Sequence, residues 1–501
     1  MNPRPIRRLL IANRGEIAVR IARACEELGI TSIAAASEAD GEARHARAAD
    51  EKVILGGAAP RDSYLRADLL LKAAKERGCD AVHPGYGFLA ENPVFAEQVA
   101  DAGLTFVGPP AHAIRLLGDK IAARATLSGA GVPVLPGFAG SGREDAAALS
   151  REAARVGYPL LVKSAGGGGG RGMRMVREPG ALAEAVLEAR REAASAFADE
   201  RLFLERYFEE ARHVEFQILA DGTGSCVHLF ERDCSIQRRF QKIVEESPSP
   251  FLDPGLRARM GQAAIAAARA SGYVNAGTVE FLVLPDRSFF FLEVNARLQV
   301  EHPVTEAVTG VDLVRAQIRI AAGEPLPFRQ ADLGMRGHAL ECRIMAEDPA
   351  EGFRPAAGRI LLAAFPDGPG VRVDAGVESG DEVPLHYDPL LAKIVVHDED
   401  RAAAIARMER ALSRTAVLGV PTLLPYLRAV LAHPVFRAGA ATTAFTTREL
   451  GDWRPAAPES GEDALLAAAV AEFLAAEAAS PDAGAAPGPW DRLDGFRPGA
   501  V

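Results

Sequence analysis

Short apolar runs and amphipathic stretches alternate along residues 7–105. RRLLIA (7–12) has the continuous apolar character of a buried strand, and EIAVRIARACEELG (16–29) has apolar residues at helical spacing and a terminating Gly29. TSIAAAS reads as a second strand and YLRADLLLKAAKERG as a second helix. AVHPG reads as a strand end and NPVFAEQVADAG as a third helix before LTFVGPP. Such alternation predicts a parallel sheet with helices on both faces. Its working edge is expected where strands end, at Asn13-Arg14-Gly15 and at His83-Pro84-Gly85-Tyr86-Gly87.

The pattern then changes. DKIAARATLSGAG (119–131) predicts a helix leading through two proline turns into a small α/β module: YPLLVKSA, a glycine loop, MRMVRE and a helix over about 180–197. Beyond it, strands (HVEFQILA, CVHLFERD, GTVEFLVL, FFFLEVN) mix with helices such as LRARMGQAAIAAARASG. After Trp453 the chain turns Ala-, Pro- and Gly-rich, with one helical patch, ALLAAAVAEFLAAEAA. These shifts predict an N-terminal α/β unit (1–118), a linker helix (119–134), a second module (135–207), a mixed third unit (208–450) and a tail (451–501). The fold class is α/β and α+β multidomain.

Composition narrows the function classes. The chain has 501 residues, too many for one ordinary core. Its 57 basic and 67 acidic residues give a net charge of −10, so the overall balance favours neither nucleic acid nor an anionic membrane as partner. The apolar run Leu9–Ala12 is too short for a signal peptide, and no stretch reaches the roughly 20 apolar residues of a membrane span. Five scattered cysteines without C-x-x-C fit free thiols in a reducing cytoplasm.

LLVKSAGGGGGRGMRMV offers a G-x-G-x-x-G spacing at Gly167, Gly169 and Gly172. A dinucleotide turn would open a helix, whereas MRMVRE reads as a strand, and no acidic residue closes a next strand. Strand, glycine loop, strand is the arrangement of a flap over nucleotide phosphates. A flexible linker is the bland alternative, but linkers are seldom framed by two apolar strands. Lys163 and Lys120 are each either a phosphate cation or a snorkelling surface lysine. A Walker-type P-loop is absent.

In AGTVEFLVLPDRSFFFLEVNARLQVEHPV two strands flank a turn at Pro285–Ser288. Pairing Leu284 with Phe289 sets Glu280 opposite Glu293 and Thr278 opposite Asn295, with Glu293, Asn295 and Arg297 on one face. Two opposed carboxylates repel. A divalent cation held by Glu280, Glu293 and Asn295 would neutralise them, and magnesium or manganese suits such hard oxygen ligands. Lys or Arg counterions on a solvated face are the alternative. Downstream, Arg297 is placed to hold an anion and Glu301 is a candidate general base. His302, before Pro303, is expected to be extended and structural.

Taken together, IANRGEIAVRI, HPGYGFLAENP, VKSAGGGGGRGMR, HVEFQILAD, ERDCSIQRRFQKIVEESPSP, GTVEFL, EVNARLQVEHPVTE and GHALECRIMAEDP closely resemble biotin carboxylase, of the ATP-grasp superfamily, from about Arg8 to Leu450. The resemblance implies a mobile lid carrying the glycine loop, and ATP contacts from Lys120, Lys163, Gly169, Gly170, Glu205, Arg206, Tyr207, Phe208, His213 and Gln237. It implies magnesium or manganese on Glu280, Glu293 and Asn295. Bicarbonate would lie on Lys242, Arg297 and Val300, with Glu301 as base, and Arg343 would stabilise the biotin enolate. Biotin would be a substrate on a carrier protein. The implied partners are that carrier, a carboxyltransferase and further copies of the chain in a dimer or larger complex, in the cytoplasm.

Phe240 departs from the family, whose members often have His or Asn there. The nearest approach to a biotin-bearing Met-Lys-Met is Met173-Arg174-Met175, so the carrier is expected on another polypeptide. VPLHYDPLLAKIVV and the terminal PWDRLDGF look like acyl-CoA carboxylase α-subunits of the methylcrotonyl or propionyl type, which implies a split or truncated α-subunit. The competing readings are other ATP-grasp ligases, a non-catalytic nucleotide-binding protein, and a dehydrogenase. Arg343 and the HPGYGF and RLQVEHPVTE strings weigh against the first, and the presence of Lys242, Arg297 and Glu301 against the second.

Overall fold

The computed structural model describes residues 4–140, 146–164, 173–197 and 201–455, together with 469, 470 and 472. Gly167, Gly169, Gly170 and Gly172 of the glycine loop, the helical patch 464–479 (apart from those last three residues) and the terminal PWDRLDGF lie outside the described residues. Contacts divide the chain into Met1–Trp453 and Arg454–Val501, and the first unit contains everything that follows.

The N-terminal strands β1 (Arg8–Ile11), β2 (Thr31–Ala36), β3 (Glu51–Ile54), β4 (Ala81–His83) and β5 (Thr105–Phe106) form a parallel sheet ordered β3-β2-β1-β4-β5. Its central strands are apolar because helices cover both faces. Helix α1 (Gly15–Leu28) ends at Gly29, whose left-handed φ of 67° closes it. At the strand ends Asn13 Nδ2 donates to the carbonyls of Pro84 (2.6 Å) and Tyr86 (2.7 Å). Gly85 is required there: its φ is 61°, and a Cβ would meet Asn13 Nδ2 at 2.9 Å.

Strands β6 (Gly137–Ala139), β7 (Leu160–Ser164), β8 (Arg174–Val176) and β9 (Leu202–Arg206) build an antiparallel sheet ordered β6-β9-β7-β8. MRMVRE is thus a strand, as its position after the glycine loop predicts. Helices Ala146–Val156 and Leu182–Phe197 flank this sheet, and its core includes Leu149, Leu160, Val162, Val176, Leu182 and Leu204.

The large sheet joins β10 (Arg212–Ala220), β11 (Cys226–Arg238), β12 (Gln241–Ser247), β13 (Asn275–Val283), β14 (Phe289–Asn295) and β15 (His338–Met345) to the strands Leu390–Asp398 and Val371–Ala375. Every pairing in it is antiparallel. Alternation along β10 and β13 sends Val214, Phe216, Ile218, Val279, Phe281 and Val283 into one apolar core. His213, Glu215, Gln217, Thr278 and Glu280 occupy the opposite face.

Two expectations need correction. At the hairpin turn Val283, not Leu284, pairs with Phe289. Leu284 N–H donates to the Ser288 carbonyl and Arg287 adopts φ 66°, the left-handed residue of a three-residue turn. A bulge at Leu292 then adds one residue to β14 and returns the register to Glu280↔Glu293 and Thr278↔Asn295. His302 is not extended: it opens the helix His302–Thr309 with Pro303 in the first turn, and it is fully buried. All five cysteines are free, and among the described residues no helix is long and apolar enough to cross a membrane.

Candidate active site

A cleft of about 1530 Å³ runs between the N-terminal strand ends, the β6–β9 sheet and the polar face of the large sheet. It is lined by Lys120, Lys163, Glu205, Arg206, Tyr207, Phe208, His213, Gln237, Lys242, Glu280, Glu293, Asn295, Arg297, Val300, Glu301 and Arg343. Every site residue predicted from the sequence therefore meets here, apart from Gly169 and Gly170.

The registers explain how. Glu293 pairs with Glu280, Glu280 with Glu215, and Glu215 with Arg232, a straight row across β14, β13, β10 and β11. Arg232 is wholly buried, and its guanidinium donates to Glu215 Oε1 (2.5 Å), Gln217 Oε1 (2.8 Å), Thr305 Oγ1 (2.9 Å) and Thr278 Oγ1 (3.0 Å). It anchors the inner end of the row.

Lys242, on β12, is the hub. Its ammonium donates to Glu215 Oε2 (2.5 Å), Glu301 Oε1 (2.6 Å) and Glu280 Oε1 (2.7 Å). Burial opposes its charge, but the three carboxylates outweigh burial and raise its pKa well above the usual lysine value. Burial likewise pushes Glu215 and Glu280 up, but Lys242, joined by Arg232 and His213 at Glu215 and by His213 at Glu280, more than reverses this and holds both well below the carboxylate range. His213 Nε2 lies 3.1 Å from Glu280; burial disfavours its proton, yet Glu280 raises it to about 9. Burial also works against charge on Glu301, with Lys242 and Arg343 among the groups that lower it.

The counterion of Glu280 is thus a lysine, the alternative expected of a polar sheet face. Glu293 differs. Among the described residues no hydrogen bond or salt bridge reaches its carboxylate, and burial followed by Glu280 raises its pKa, against the pull of Lys120. Burial lowers Lys120 in turn. A half-buried carboxylate with no partner among the described residues, beside the buried Glu280 and with the Asn295 amide adjoining, is a donor set suited to a hard divalent cation. Asn295 Nδ2 donates to Glu280 Oε1 at 2.8 Å, and its Oδ1 accepts from Arg297 at 3.0 Å.

Arg297 also donates to Glu91 Oε2 at 2.8 Å. Arg343 donates to Glu245 Oε1 through Nε (2.6 Å) and to Glu301 Oε2 through Nη2 (3.0 Å). Lys163 donates to Glu205, from adjacent strands. Leu135, Leu161, Leu282 and Leu292 line an apolar part of the cleft.

Sequence reading missed Glu215, Arg232, Glu91 and Glu245. Alternation in HVEF puts Glu215 on the face of His213, a signal that was there to use. Arg232 and Glu245 announce themselves only through cross-strand register, and Glu91 through a loop approach with no periodic signature.

Fold and site define an ATP-grasp enzyme. Family models match residues 5–114 (biotin carboxylase, N-terminal domain), 119–329 (carbamoyl-phosphate synthase L chain, ATP binding domain) and 341–448 (biotin carboxylase C-terminal domain). Biotin carboxylase of Nostoc sp. is 50% identical over 438 residues, 87% of this chain and 98% of that protein. A pyruvate carboxylase subunit of Methanothermobacter thermautotrophicus is also 50% identical, over 87% of this chain and 89% of its own. The mitochondrial methylcrotonoyl-CoA carboxylase α-subunit of Dictyostelium discoideum is 45% identical over 99% of this chain and 71% of its own. Among solved structures, the biotin carboxylase domain dimer of Hydrogenobacter thermophilus 2-oxoglutarate carboxylase, in complex with MgADP, ADP and bicarbonate, superposes with a TM-score of 0.87. It is 44% identical, over 90% of this chain and 99% of that one. The chain belongs to the biotin carboxylase family and is an ATP-dependent ligase.

Proposed function

We propose that this chain carboxylates biotin on a carrier protein, using ATP and bicarbonate, as part of an acyl-CoA carboxylase. The observation that carries the reading is the convergence of Lys242, Glu301 and Arg343 through direct hydrogen bonds beside Glu293, which has no partner among the described residues.

ATP binds with its base in the leucine-lined part of the cleft, against Glu205–Phe208, His213 and Gln237, and its phosphates under Lys120, Lys163, Gly169 and Gly170. Glu280, Glu293 and Asn295 hold magnesium or manganese, which when bound neutralises phosphate charge. Lys242, Arg297 and the Val300 backbone hold bicarbonate, and Glu301 accepts its proton. A bicarbonate oxygen then forms a bond to the γ-phosphorus as the bond to the ADP oxygen breaks, giving carboxyphosphate and ADP. The lysines offset developing charge. Carboxyphosphate separates into CO₂ and phosphate, the phosphate takes the proton of the biotin N1, and N1 bonds to CO₂. Arg343 stabilises the enolate-like oxygen of deprotonated biotin. Closure over the cleft protects these water-labile species.

The acyl-CoA assignment is supported by the match to a methylcrotonoyl-CoA carboxylase along 99% of the chain, against 87% for a pyruvate carboxylase. The proposed partners are a biotin carrier, a carboxyltransferase and a second copy of this chain.

The test is bicarbonate-dependent ATP hydrolysis with and without free biotin, in wild type and in Glu301→Gln. Biotin should stimulate wild-type turnover, and the variant should lose it while still binding nucleotide. Turnover indifferent to biotin in the wild type would overturn the proposed reaction. Unchanged turnover in the variant would remove Glu301 from it.

A further inference from the structure

Behind Arg343 lie two carboxyl groups that the reaction above does not use. Glu245 on β12 and Glu341 on β15 are directly opposed in the ladder, and both are completely buried. Glu245 Oε1 takes the Nε and Nη2 of Arg343 at 2.6 and 2.5 Å. Its Oε2 and both oxygens of Glu341 are buried without a hydrogen-bond partner among the described residues. Two ionised carboxylates with three buried oxygens lacking a partner would be strongly unfavourable. A single proton would relieve most of this: because the two residues are cross-strand partners, a Glu341 O–H could donate to Glu245 Oε2 and leave Glu245 the anion that Arg343 requires.

The surrounding charges agree. Lys393, on the neighbouring strand, stands opposite Arg343, donates to the Val300 carbonyl at 2.8 Å, and lies 3.2 Å from Glu16 and 3.8 Å from Asp374. Lys242 and Glu301 act on Glu245 from the cleft side, and the buried thiols of Cys234 and Cys342 feel Glu245 as well. Lys393 is thus shared among Glu16, Asp374 and Glu341 and cannot be the private counterion of Glu341. Burial pushes Glu245 up to about 7 and Glu341 well above the carboxylate range.

We propose that Glu341 carries a proton shared with Glu245, and that this acid–carboxylate pair is the positioning element that holds Arg343 toward biotin. The Nε–Nη2 edge of the guanidinium is fixed by Glu245, with Nη2 also tied to Glu301. Nη1 is left without a protein partner among the described residues and is free for the ureido oxygen. This rests on the assignment of Arg343 to biotin made above.

The full-length enzyme tests it in two ways. In the first, the infrared difference spectrum of wild type minus Glu341→Gln at neutral pH should contain the C=O stretch of a protonated carboxyl, downshifted in D₂O. In the second, Glu341→Leu and Glu245→Gln should each lower kcat/KM for free biotin by about tenfold or more, with KM for ATP unchanged, while Glu341→Gln, whose amide N–H replaces the acid proton, recovers most of the loss. Absence of the band, or a Glu341→Gln variant as impaired as Glu341→Leu, would overturn the shared proton. An unaltered kcat/KM for biotin in Glu245→Gln would overturn the positioning role. If Glu341→Leu does not fold, the infrared band and Glu245→Gln still decide. A wild type that biotin fails to stimulate sinks the proposed reaction instead, and the infrared result does not depend on that outcome.

Discussion

Lys242 Nζ and Glu301 Oε1 lie 2.6 Å apart, and the same ammonium holds Glu215 and Glu280. One cation therefore restrains both the proposed base and a proposed metal ligand. Lys242→Met would leave three buried carboxylates short of a partner, and destabilisation of about 3–5 kcal/mol is expected by denaturant titration. Adding Glu301→Gln should restore part of that stability and none of the activity. Additive losses in the double variant would show the two residues to be uncoupled.

Glu293→Gln should separate folding from ligand response. Removing a carboxylate disfavoured by burial and by Glu280 is expected to leave the ligand-free protein as stable as wild type or up to about 1 kcal/mol more so. Its thermal midpoint should no longer rise with magnesium and ADP. A full magnesium-dependent shift in the variant would take Glu293 out of the metal site.

Acid should weaken the fold through two buried histidines, His45 and His228. Burial lowers His45 and His228 to about 4 from an ordinary 6.5, so the unfolded chain takes up protons that the folded chain refuses. This stabilisation is complete above about pH 6.5 and is lost as pH falls toward 4, up to roughly 3 kcal/mol for each residue. Urea midpoints measured between pH 7 and 4.5 should fall accordingly. His45→Gln, though less stable at pH 7, should show a shallower slope, and an unchanged slope would contradict the assignment.

Arg239 and Phe240 form the two-residue turn between β11 and β12, with φ of 49° and 68°. The Phe240 ring is 53% exposed on the wall of the cleft. Phe240→Asn is expected to relieve about 1 kcal/mol of backbone strain and to leave KM for ATP within about twofold of wild type. A larger rise in KM would mean that the ring packs against the nucleotide.

Much of this site can be read along the chain. The opposition of Glu280 and Glu293 follows from alternation counted from a Leu284–Phe289 pair, and it holds in the structure because the Val283–Phe289 pairing and the Leu292 bulge offset one another. A bulge leaves no mark in a hydrophobic pattern. His302 looked extended because proline disfavours a helical predecessor, yet tertiary packing buries it in the first turn of a helix. Glu245, Glu341 and Lys393 lie on strands that read as ordinary mixed segments. Their opposition exists only after β12, β15 and Leu390–Asp398, which lie far apart along the chain, have paired.

The carboxylate row on the large sheet also bears on how the chain finds its native pairing. A one-residue slip of β13 against β10 would turn Glu280 inward among Val214 and Phe216 and expose Phe281 in its place. The acids that equip the cleft for chemistry thereby act as proofreaders of strand alignment, and a misaligned sheet is penalised before any substrate arrives.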